Sequence, residues 1–238
     1  MCANIRTPFD TLEKVYIVKR NFRRRKNILR NKCDFELGAT TAHIVEKQKF
    51  VTHEDDGSSK SVTVSENRVY FYDDVTETSI LELNKILRNL DAELKCLSIR
   101  FNSNLVFPIE LHIHSDGGDL FSGLAAVDTI RSLSADVHTY IDGSAASAAT
   151  LMSVAGSKRL IYENSFMLIH QLSSMISEGT HEQFKDEFEN QNILMNRIKQ
   201  LYREASTMDE EELEYILIHD LWLSSERCLA MGLVDEIV

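Results

Sequence analysis

The sequence predicts an α/β fold with a mostly parallel sheet, and two observations support that prediction. Short apolar runs typical of buried strands alternate with longer segments in which apolar residues recur every three or four positions. Turns rich in glycine, serine and aspartate separate these segments, and the 238-residue chain contains only two prolines. Repeated strand–turn–helix units of this kind favour a layered structure in which helices cover a sheet.

The first predicted elements flank an Asp-Asp-Gly-Ser-Ser turn. Residues 44–51 and 61–64 alternate in polarity on either side of it, and Asp-Gly between two such runs predicts a β-hairpin. Residues 68–72 are rich in aromatic and branched side chains, which is typical of a strand. Residues 76–95 carry apolar residues on one helical face, with Thr76 as the N-cap.

From residue 109 onward, predicted strands are interspersed with predicted helices. We expect strands at residues 109–113, 137–141, 159–162 and 166–169. We expect helices at residues 121–133, 145–155, 180–205, 209–218 and 225–231. The helix at residues 180–205 is long and largely polar, with apolar residues among its charges, a pattern that suits a contact between subunits better than a free surface.

The composition is that of a globular protein long enough to bury one core. Hydrophobic residues make up 43% of the chain and charged residues 26%. No apolar run approaches the roughly 18 residues that a membrane span requires. The N-terminal residues mix acidic and basic side chains, unlike a signal or transit peptide. We therefore expect a cytoplasmic protein without membrane association.

The net charge of −11 hides a basic N-terminus. Residues 1–32 hold ten Lys/Arg and two Asp/Glu, a net charge of +8, so the remaining chain carries −19. The basic cluster at residues 19–26 is compatible with contact to nucleic acid or to an acidic protein surface. Because it contains one aromatic residue and no nucleic-acid-binding motif, we favour a solvated arm and expect no nucleic acid partner. The chain thus divides into a basic arm with a β-hairpin, residues 1–65, and a second domain, residues 66–238.

The cysteines and histidines form no recognisable metal site. The four cysteines are scattered without a Cys-x-x-Cys pair, which argues against zinc and against a disulfide framework. His112 and His114 share one face of a predicted strand, but no third ligand at a clear spacing supports metal binding. We expect these histidines to be hydrogen-bonded strand residues and the cysteines to be free thiols.

Residues 143–150, Gly-Ser-Ala-Ala-Ser-Ala-Ala-Thr, place the smallest side chains between a strand and a helix. A hydroxyl at Ser147 would lie at the positive end of the predicted helix, beside unpaired backbone N–H groups. The Ala148 N–H could then bind the oxyanion of a tetrahedral intermediate. The alternative is that Ser144 and Ser147 only cap the helix, and this segment alone favours that alternative.

A base and an orienting acid are available further along the chain. His170 ends an apolar strand, where the sites of α/β proteins usually lie. Asp220 follows an apolar helix and precedes Trp222, so we expect it to be partly buried and to need a partner such as a histidine N–H. Serine, then histidine, then aspartate is one of several chain orders that a hydrolytic triad can take.

A glycine turn, Ser-Asp-Gly-Gly-Asp at residues 115–119, lies between a predicted strand and a predicted helix. Paired glycines permit unusual backbone angles and close approach of a ligand backbone. The N–H groups of this turn could therefore supply a second oxyanion donor. The phosphate-loop patterns G-x-x-x-x-G-K-[ST] and G-x-G-x-x-G are both absent, so we do not expect the chain to bind ATP.

Together these segments resemble the ClpP family of serine peptidases, the proteolytic subunits of ATP-dependent Clp proteases. Five motifs stand in the family's order: Ser-Asp-Gly-Gly (115–118), Gly-Ser-Ala-Ala-Ser (143–147), Met-Leu-Ile-His-Gln (167–171), Asp-Leu-Trp-Leu-Ser (220–224) and Gly-Leu-Val-Asp (232–235). Each motif alone is weak, but five in order are specific. The resemblance covers roughly residues 66–238.

The resemblance implies a site and a reaction. Ser147 would be the nucleophile, His170 the general base and acid, and Asp220 the orienting carboxylate. Gly118 and Ala148 would be the N–H donors of the oxyanion hole. The implied reaction is hydrolysis of peptide bonds through an acyl-enzyme, without a metal or a cofactor on this chain.

The resemblance also implies a fold and an assembly. The fold would be a crotonase-like stack of strand-strand-helix units, from which the long helix at residues 180–205 protrudes. Members of the family form heptameric rings stacked in pairs. An AAA+ unfoldase of the ClpX or ClpA type uses ATP to feed unfolded polypeptides into the chamber.

Two alternatives stay open, and departures from the family pattern favour the first of them. Asp116 and Leu172 stand where the family usually has proline, and residues 1–65 do not match its short N-terminal segment. The chain could instead be a catalytically idle ring subunit with a structural or regulatory role. It could also be a crotonase-type acyl-CoA enzyme, but such enzymes need no Ser-His-Asp set, so the three residues weigh against that alternative.

Overall fold

The computed structural model describes residues 62–100, 107–173 and 178–238. The predicted basic arm and the first hairpin segment, residues 44–51, lie outside the described residues. The segment predicted at residues 61–64 is found as strand β1 (Val62–Ser65), which pairs antiparallel with β2 (Arg68–Phe71). Strand β1 thus shares a sheet with the second predicted domain.

The other predicted elements follow in the predicted order, and two short strands near the C-terminus that were not predicted join them. The remaining strands are β3 (Ile109–Ser115), β4 (Val137–Ala146), β5 (Lys158–Ile161), β6 (Phe166–Leu168), β7 (Trp222–Ser224) and β8 (Glu236–Ile237). The helices of the described residues are α1 (Glu77–Arg100), α2 (Leu120–Ser132), α3 (Ala148–Ser153), α4 (His181–Ala205), α5 (Glu210–Leu217) and α6 (Ser225–Ala230).

One mostly parallel sheet organises these elements, as the sequence predicts. Its main strand order is β1-β2-β3-β4-β5-β8, and every neighbouring pair after β1-β2 is parallel. Strand β6 leaves this path, because it pairs parallel with the far end of β4 and antiparallel with β7. Strands β3, β4 and β6 therefore meet at one end of β4, and the loops that follow them lie close together.

The helices pack apolar faces against the sheet. Helix α1 buries Ile80, Leu83 and Leu87, and its predicted N-cap is confirmed, because Thr76 Oγ1 accepts a hydrogen bond from the Ser79 N–H at 3.1 Å. Among the described residues, no helix has both the length and the apolar character needed to cross a membrane.

Helix α4 is the long polar helix of the sequence analysis. Thr180 and Gln183 form a capping box at its start. Its N-terminal half leaves Phe184 and Phe188 exposed. The residues it buries lie towards its C-terminal end: Ile198, Leu201 and Tyr202. The helix therefore joins the core through its last turns.

The small-residue run folds differently from the prediction. The sequence predicts a helix at residues 145–155, whereas β4 continues through Ala146 and α3 spans only Ala148–Ser153. Alanine favours helices, but Ala145 pairs with β3 on one side and with β6 on the other. Two strand ladders override this local preference, so the helix begins directly after Ser147.

Strand β7 is an element that the sequence analysis does not predict. It has three residues and owes its conformation to pairing with β6. Three residues are too few for an alternation of apolar and polar side chains to be recognised. The strand matters for the site because it begins two residues after Asp220.

Candidate active site

Ser147 lies at the junction of β4 and α3 in a strained backbone conformation. Its φ of 52° and ψ of −126° fall in a region that residues with a side chain rarely adopt, at a cost of about 1–3 kcal/mol. Two backbone–backbone hydrogen bonds help to hold the residue there. Its N–H donates to Leu168 O at 2.9 Å, and its carbonyl accepts from the Thr150 N–H at 3.0 Å. A sharp strand-to-helix turn of this kind exposes the serine hydroxyl in known hydrolases.

The Ser147 side chain does not cap the helix. Ser147 occupies the N-cap position of α3, yet its hydroxyl makes no capping hydrogen bond. Ser144 lies within β4, and its N–H lies 3.3 Å from His114 Nδ1. The alternative that these serines only cap the helix is therefore wrong, and the Ser147 hydroxyl is left for another use.

The glycine turn lies directly against Ser147. A Cβ atom on Gly117 would come within 2.6 Å of Ala146 O and 2.7 Å of Ser147 Cβ. A Cβ atom on the neighbouring Gly118 would lie 2.3 Å from Val75 O. The two residues have φ values of +95° and +145°, so both the space and the backbone angles require glycine here.

Two backbone N–H groups border Ser147 without a backbone acceptor. The Ala148 N–H is the first of α3 and has no acceptor within the helix. The turn's own hydrogen bonds run from the Val75 N–H to Gly117 O and from the Asp119 N–H to Val75 O. Within the part of the chain that the structure describes, the backbone hydrogen bonds leave the Gly118 N–H unused.

His170 follows β6, two residues beyond the contact with Ser147. The hydrogen bond from the Ser147 N–H to Leu168 O sets the start of α3 beside the end of β6. The His170 side chain is 26% exposed. Among the described residues, no hydrogen bond joins Ser147 to His170. The structure therefore brings the two residues to neighbouring positions without linking their side chains.

Two contacts anchor the segment that carries His170. The Gln171 N–H donates to Leu217 O at 2.7 Å, and the Leu172 N–H donates to Met195 Sδ at 3.0 Å. A proline at position 172 would lack the second donor. The departure from the family pattern thus adds a link between this segment and α4.

Asp220 faces His170 from the turn between α5 and β7. The distance from His170 Nδ1 to Asp220 Oδ1 is 3.8 Å, which is an ion-pair distance too long for a hydrogen bond. The Asp220 side chain is 82% exposed, so the expectation of a partly buried acid is wrong. The turn lies at the surface. Because Trp222 is itself 50% exposed, it does not shield the Asp220 carboxylate from water.

Two clefts border the candidate site. One, of about 820 Å³, lies between the segment after β6, helix α4 and the end of α5, and both His170 and Asp220 line it. The other, of about 630 Å³, borders the glycine turn, and four acidic residues are among those that line it: Asp74, Glu77, Asp116 and Asp119. Open space therefore lies on both the His170 side and the Gly118 side.

The histidines of β3 are hydrogen-bonded strand residues, as predicted. His112 Nδ1 lies 3.0 Å from Asp142 Oδ2, and the Tyr72 hydroxyl donates to the same carboxylate at 2.6 Å. His114 Nδ1 lies 2.8 Å from the Asp142 carbonyl oxygen. In residues 62–100, 107–173 and 178–238, no group of three or more His, Cys, Asp or Glu side chains is arranged to hold a metal ion.

The sequence analysis misses two linked hydroxyl groups, the first of which contacts the backbone of the candidate nucleophile. Thr150 Oγ1 donates to the Ser147 carbonyl oxygen at 2.6 Å and lies 2.6 Å from Tyr202 OH. Thr150 closes the small-residue run, and Tyr202 follows 52 residues later. Their contact depends on how α4 packs against α3, which no local pattern in the sequence reveals.

Comparison with known proteins relates most of the chain to one family. A family model described as Clp protease matches residues 64–238. The ATP-dependent Clp protease proteolytic subunit of Streptococcus gordonii is 32% identical over 134 residues, which span 55% of this chain and 68% of that protein. The ATP-dependent Clp protease proteolytic subunit 2 of Chlamydia trachomatis is 33% identical over 132 residues, which span 55% of this chain and 64% of that protein.

A solved structure has the same fold. A ClpP1 mutant from Listeria monocytogenes superposes with a TM-score of 0.61 at 25% identity, covering 72% of this chain and 91% of that one. The predicted α/β fold of the ClpP type is thereby confirmed. With a family match that spans well over half of its length, the chain belongs to the Clp protease family.

Proposed function

We propose that this protein is the proteolytic subunit of an ATP-dependent Clp protease, a serine endopeptidase that hydrolyses peptide bonds of unfolded polypeptides. The observation that carries the proposal is Ser147, which combines a strained backbone, an uncapped helix start and contact with the glycine turn. These features suit a serine nucleophile beside an oxyanion hole. Membership of the Clp protease family supports the same reaction.

In the proposed reaction, Ser147 Oγ attacks the carbonyl carbon of a substrate peptide while His170 Nε2 accepts the hydroxyl proton. The C–N bond then breaks, and the leaving amine takes that proton from His170. Water, deprotonated by the same histidine, hydrolyses the acyl-enzyme and restores Ser147. Since His170 Nδ1 faces Asp220, Nε2 is the nitrogen left to serve Ser147.

The N–H groups of Gly118 and Ala148 are the proposed donors to the substrate carbonyl oxygen as it becomes an oxyanion. Gly118 has close backbone contact with Val75 and Ala148 follows the strained Ser147, so both groups are held by rigid surroundings. Donors fixed in advance need no reorganisation during the reaction, and removal of one such donor typically lowers the rate by about 10²–10³-fold.

Asp220 is the proposed orienting carboxylate of His170. For a charge-assisted hydrogen bond, the 3.8 Å separation must shorten to about 2.8 Å, and catalytic hydrogen bonds often tighten only when substrate binds. Because the carboxylate is 82% exposed, water competes for it. Loss of Asp220 should therefore reduce the rate less than loss of Ser147 or His170.

We propose that the protein works as an assembly with an ATPase. Its relatives are named as subunits of ATP-dependent proteases, and an AAA+ unfoldase of the ClpX or ClpA type is our candidate partner. The exposed Phe184 and Phe188 of α4 suit a contact between rings, and stacked heptamers would enclose the sites. The chain needs no cofactor of its own in this scheme. A cytoplasmic location fits the free thiols of Cys96 and Cys228.

A catalytically idle subunit is the less favoured alternative. An idle subunit has no need of a strained serine, and Ser147 keeps that strain together with His170 and Asp220 in its vicinity. A crotonase-type acyl-CoA enzyme is also disfavoured, because such enzymes need no serine nucleophile.

Hydrolysis of a short fluorogenic peptide by the purified oligomer tests the proposal. We expect Ser147→Ala to lower the rate to background and His170→Ala to lower it nearly as far. Ser144→Ala, which alters the neighbouring serine of β4, is the matched control and should stay within about twofold of the wild-type rate. A folded wild-type oligomer without peptidase activity, or an active Ser147→Ala variant, would refute the proposal.

A further inference from the structure

Two buried hydroxyl groups connect α4 with the backbone of Ser147. Thr150 Oγ1 donates to the Ser147 carbonyl oxygen at 2.6 Å, and Tyr202 OH lies 2.6 Å from Thr150 Oγ1. Thr150 is 0% exposed and Tyr202 is 2% exposed. Water therefore does not compete for these hydrogen bonds, which are stronger in such surroundings than at the surface.

The chemistry of the groups sets the direction of the chain. A carbonyl oxygen can only accept, so the single hydroxyl proton of Thr150 is committed to Ser147 O. Thr150 Oγ1 must then accept from Tyr202 OH, and the order of donation is Tyr202 to Thr150 to Ser147. Burial raises the pKa of Tyr202, which keeps its hydroxyl protonated and able to donate.

The anchored oxygen controls the orientation of an N–H group at the site. The Ser147 carbonyl and the Ala148 N–H belong to one planar peptide, which is trans like the other peptide bonds of the described residues. In a trans peptide the two groups point in opposite directions, so fixing the oxygen also fixes the N–H.

Strain in Ser147 makes such an anchor necessary. At a φ of 52° and a ψ of −126°, Ser147 would relax if the peptide after it rotated by about 180°, because ψ would then reach about +54° and the residue would enter the small left-handed region that residues with a side chain do adopt. That rotation would turn the Ala148 N–H away from the substrate oxygen and bring the Ser147 carbonyl towards it. The Thr150 N–H and Thr150 Oγ1 both donate to this carbonyl and oppose the rotation.

We propose that Thr150 and Tyr202 are positioning residues that hold the Ser147–Ala148 peptide with its N–H directed at the substrate oxyanion. The inference rests on the proposed function, since it takes Ser147 as the nucleophile and Ala148 as an oxyanion donor. Neither hydroxyl touches the substrate. Both act through the backbone of Ser147, and Tyr202 acts through Thr150.

Four variants separate the hydroxyl groups from the space they fill. Thr150→Val keeps the shape and removes the hydroxyl, whereas Thr150→Ser keeps the hydroxyl. Tyr202→Phe removes the second hydroxyl and leaves the Thr150 donor in place. Because Thr150→Val alone strands the buried Tyr202 hydroxyl, the double variant Thr150→Val/Tyr202→Phe is measured beside it.

The readouts are kcat and KM for a fluorogenic peptide, the rate of single-turnover labelling by an alkyl fluorophosphonate, and the unfolding temperature. Labelling forms the Ser147 Oγ–P bond and releases fluoride, and the phosphoryl oxygen occupies the place of the oxyanion. We expect Thr150→Val and the double variant to lower kcat and the labelling rate by about 10- to 100-fold, with KM changed by less than about threefold. We expect Tyr202→Phe to lower kcat and the labelling rate by about 3- to 10-fold. We expect both rates of Thr150→Ser to stay within about threefold of wild type.

The double variant should be no slower than Thr150→Val, because the two hydroxyls act in series. Wild-type labelling rates in the double variant and in Tyr202→Phe would overturn the proposal. So would a Thr150→Ser variant as slow as Thr150→Val, since the methyl packing would then be the cause. If Thr150→Val does not fold, Tyr202→Phe and Thr150→Ser decide by the same criteria. Failure of the proposed function is a different result, namely a folded wild-type protein that is not labelled at all.

Discussion

Gly117 occupies a position that accepts no side chain, because a Cβ atom there would lie 2.6 Å from Ala146 O and 2.7 Å from Ser147 Cβ. The turn and the serine are therefore fitted to each other through the backbone. Any shift of the turn also moves the Gly118 N–H, which is the proposed oxyanion donor. At the scale of single residues, the candidate site depends on this fit as much as on its three polar side chains.

Gly117→Ala should impair the site through this contact. The added methyl group forces the turn or Ser147 to move, so we expect peptide hydrolysis to fall at least about tenfold. Gly179→Ala is the matched control, since the atom nearest to its added Cβ would be Gln183 Oε1 at 3.4 Å, an ordinary contact distance, and its rate should stay within about twofold. A Gly117→Ala enzyme with wild-type rates would show that peptide hydrolysis does not depend on the close fit between the turn and Ser147.

Local sequence signals predict some residues of the candidate site and not others. Ser147 and the glycine turn could be found because each stands between a strand and a helix within a few residues. The exposure of Asp220 could not, since it depends on how far Trp222 covers the turn in three dimensions. The hydroxyl of Thr150 was also beyond prediction, because its partner Tyr202 lies on a distant helix.

At the scale of elements, Arg159 of β5 joins the ends of two helices. Its guanidinium donates to Ala205 O at the end of α4 and to Gly232 O just beyond α6, and it pairs with Asp235. Burial tends to raise the pKa of the Asp235 carboxyl. Hydrogen bonds from the Arg159 side chain and backbone outweigh that effect, so the pKa lies below its ordinary value.

Because the pKa of Asp235 is lowered in the folded protein, we expect the ion pair to make a pH-dependent contribution to stability. A carboxyl with a lowered pKa in the folded state stabilises the fold above its unfolded pKa of about 4, and that contribution is lost as the pH falls through the folded pKa. We expect Asp235→Asn to lower the unfolding temperature by a few degrees at pH 7, with a deficit that shrinks below pH 4.

Differential scanning fluorimetry between pH 7 and pH 3 measures this deficit. Asp128→Asn is the control, because Asp128 is an exposed residue of α2, and its effect should be small at every pH. A deficit for Asp235→Asn that is the same at pH 7 and at pH 3 would disprove the role assigned to the ion pair.

Elements with strong periodicity could be predicted from the sequence, and short ones could not. Helix α4 and its capping box follow from residues near each other in the chain. Strand β7 and the extension of β4 through Ala146 depend on pairing with β6. Pairing between distant segments overrides the helix preference of alanine, and a three-residue strand carries no pattern of its own.

On the scale of the whole molecule, α4 presents apolar side chains that the described residues do not cover. Phe188 is 65% exposed and Phe184 is 41% exposed, on a helix whose last turns alone join the core. In the proposed assembly these aromatic residues are our candidates for the contact between rings. The fold class was predictable because most strand–helix units carry a local signal, whereas the pattern of α4 indicates a subunit contact without defining its geometry.

Phe188→Glu should weaken the proposed contact between rings. We expect native mass spectrometry to show the wild type as a double ring and the variant as single rings, because a charge in a buried apolar contact is strongly unfavourable. Glu189→Gln, at the exposed neighbouring position, should leave the double ring intact. A Phe188→Glu variant with wild-type mass would place the ring contact elsewhere.

The most direct measurement for the central claim, that Ser147 is the nucleophile, is peptide mapping of the native oligomer after fluorophosphonate labelling. The account predicts one adduct, on the peptide that contains Ser147. The adduct should be absent in Ser147→Ala, strongly reduced in His170→Ala and retained in Ser144→Ala. An adduct on a different residue of the wild type, or none on a folded oligomer, would contradict the account.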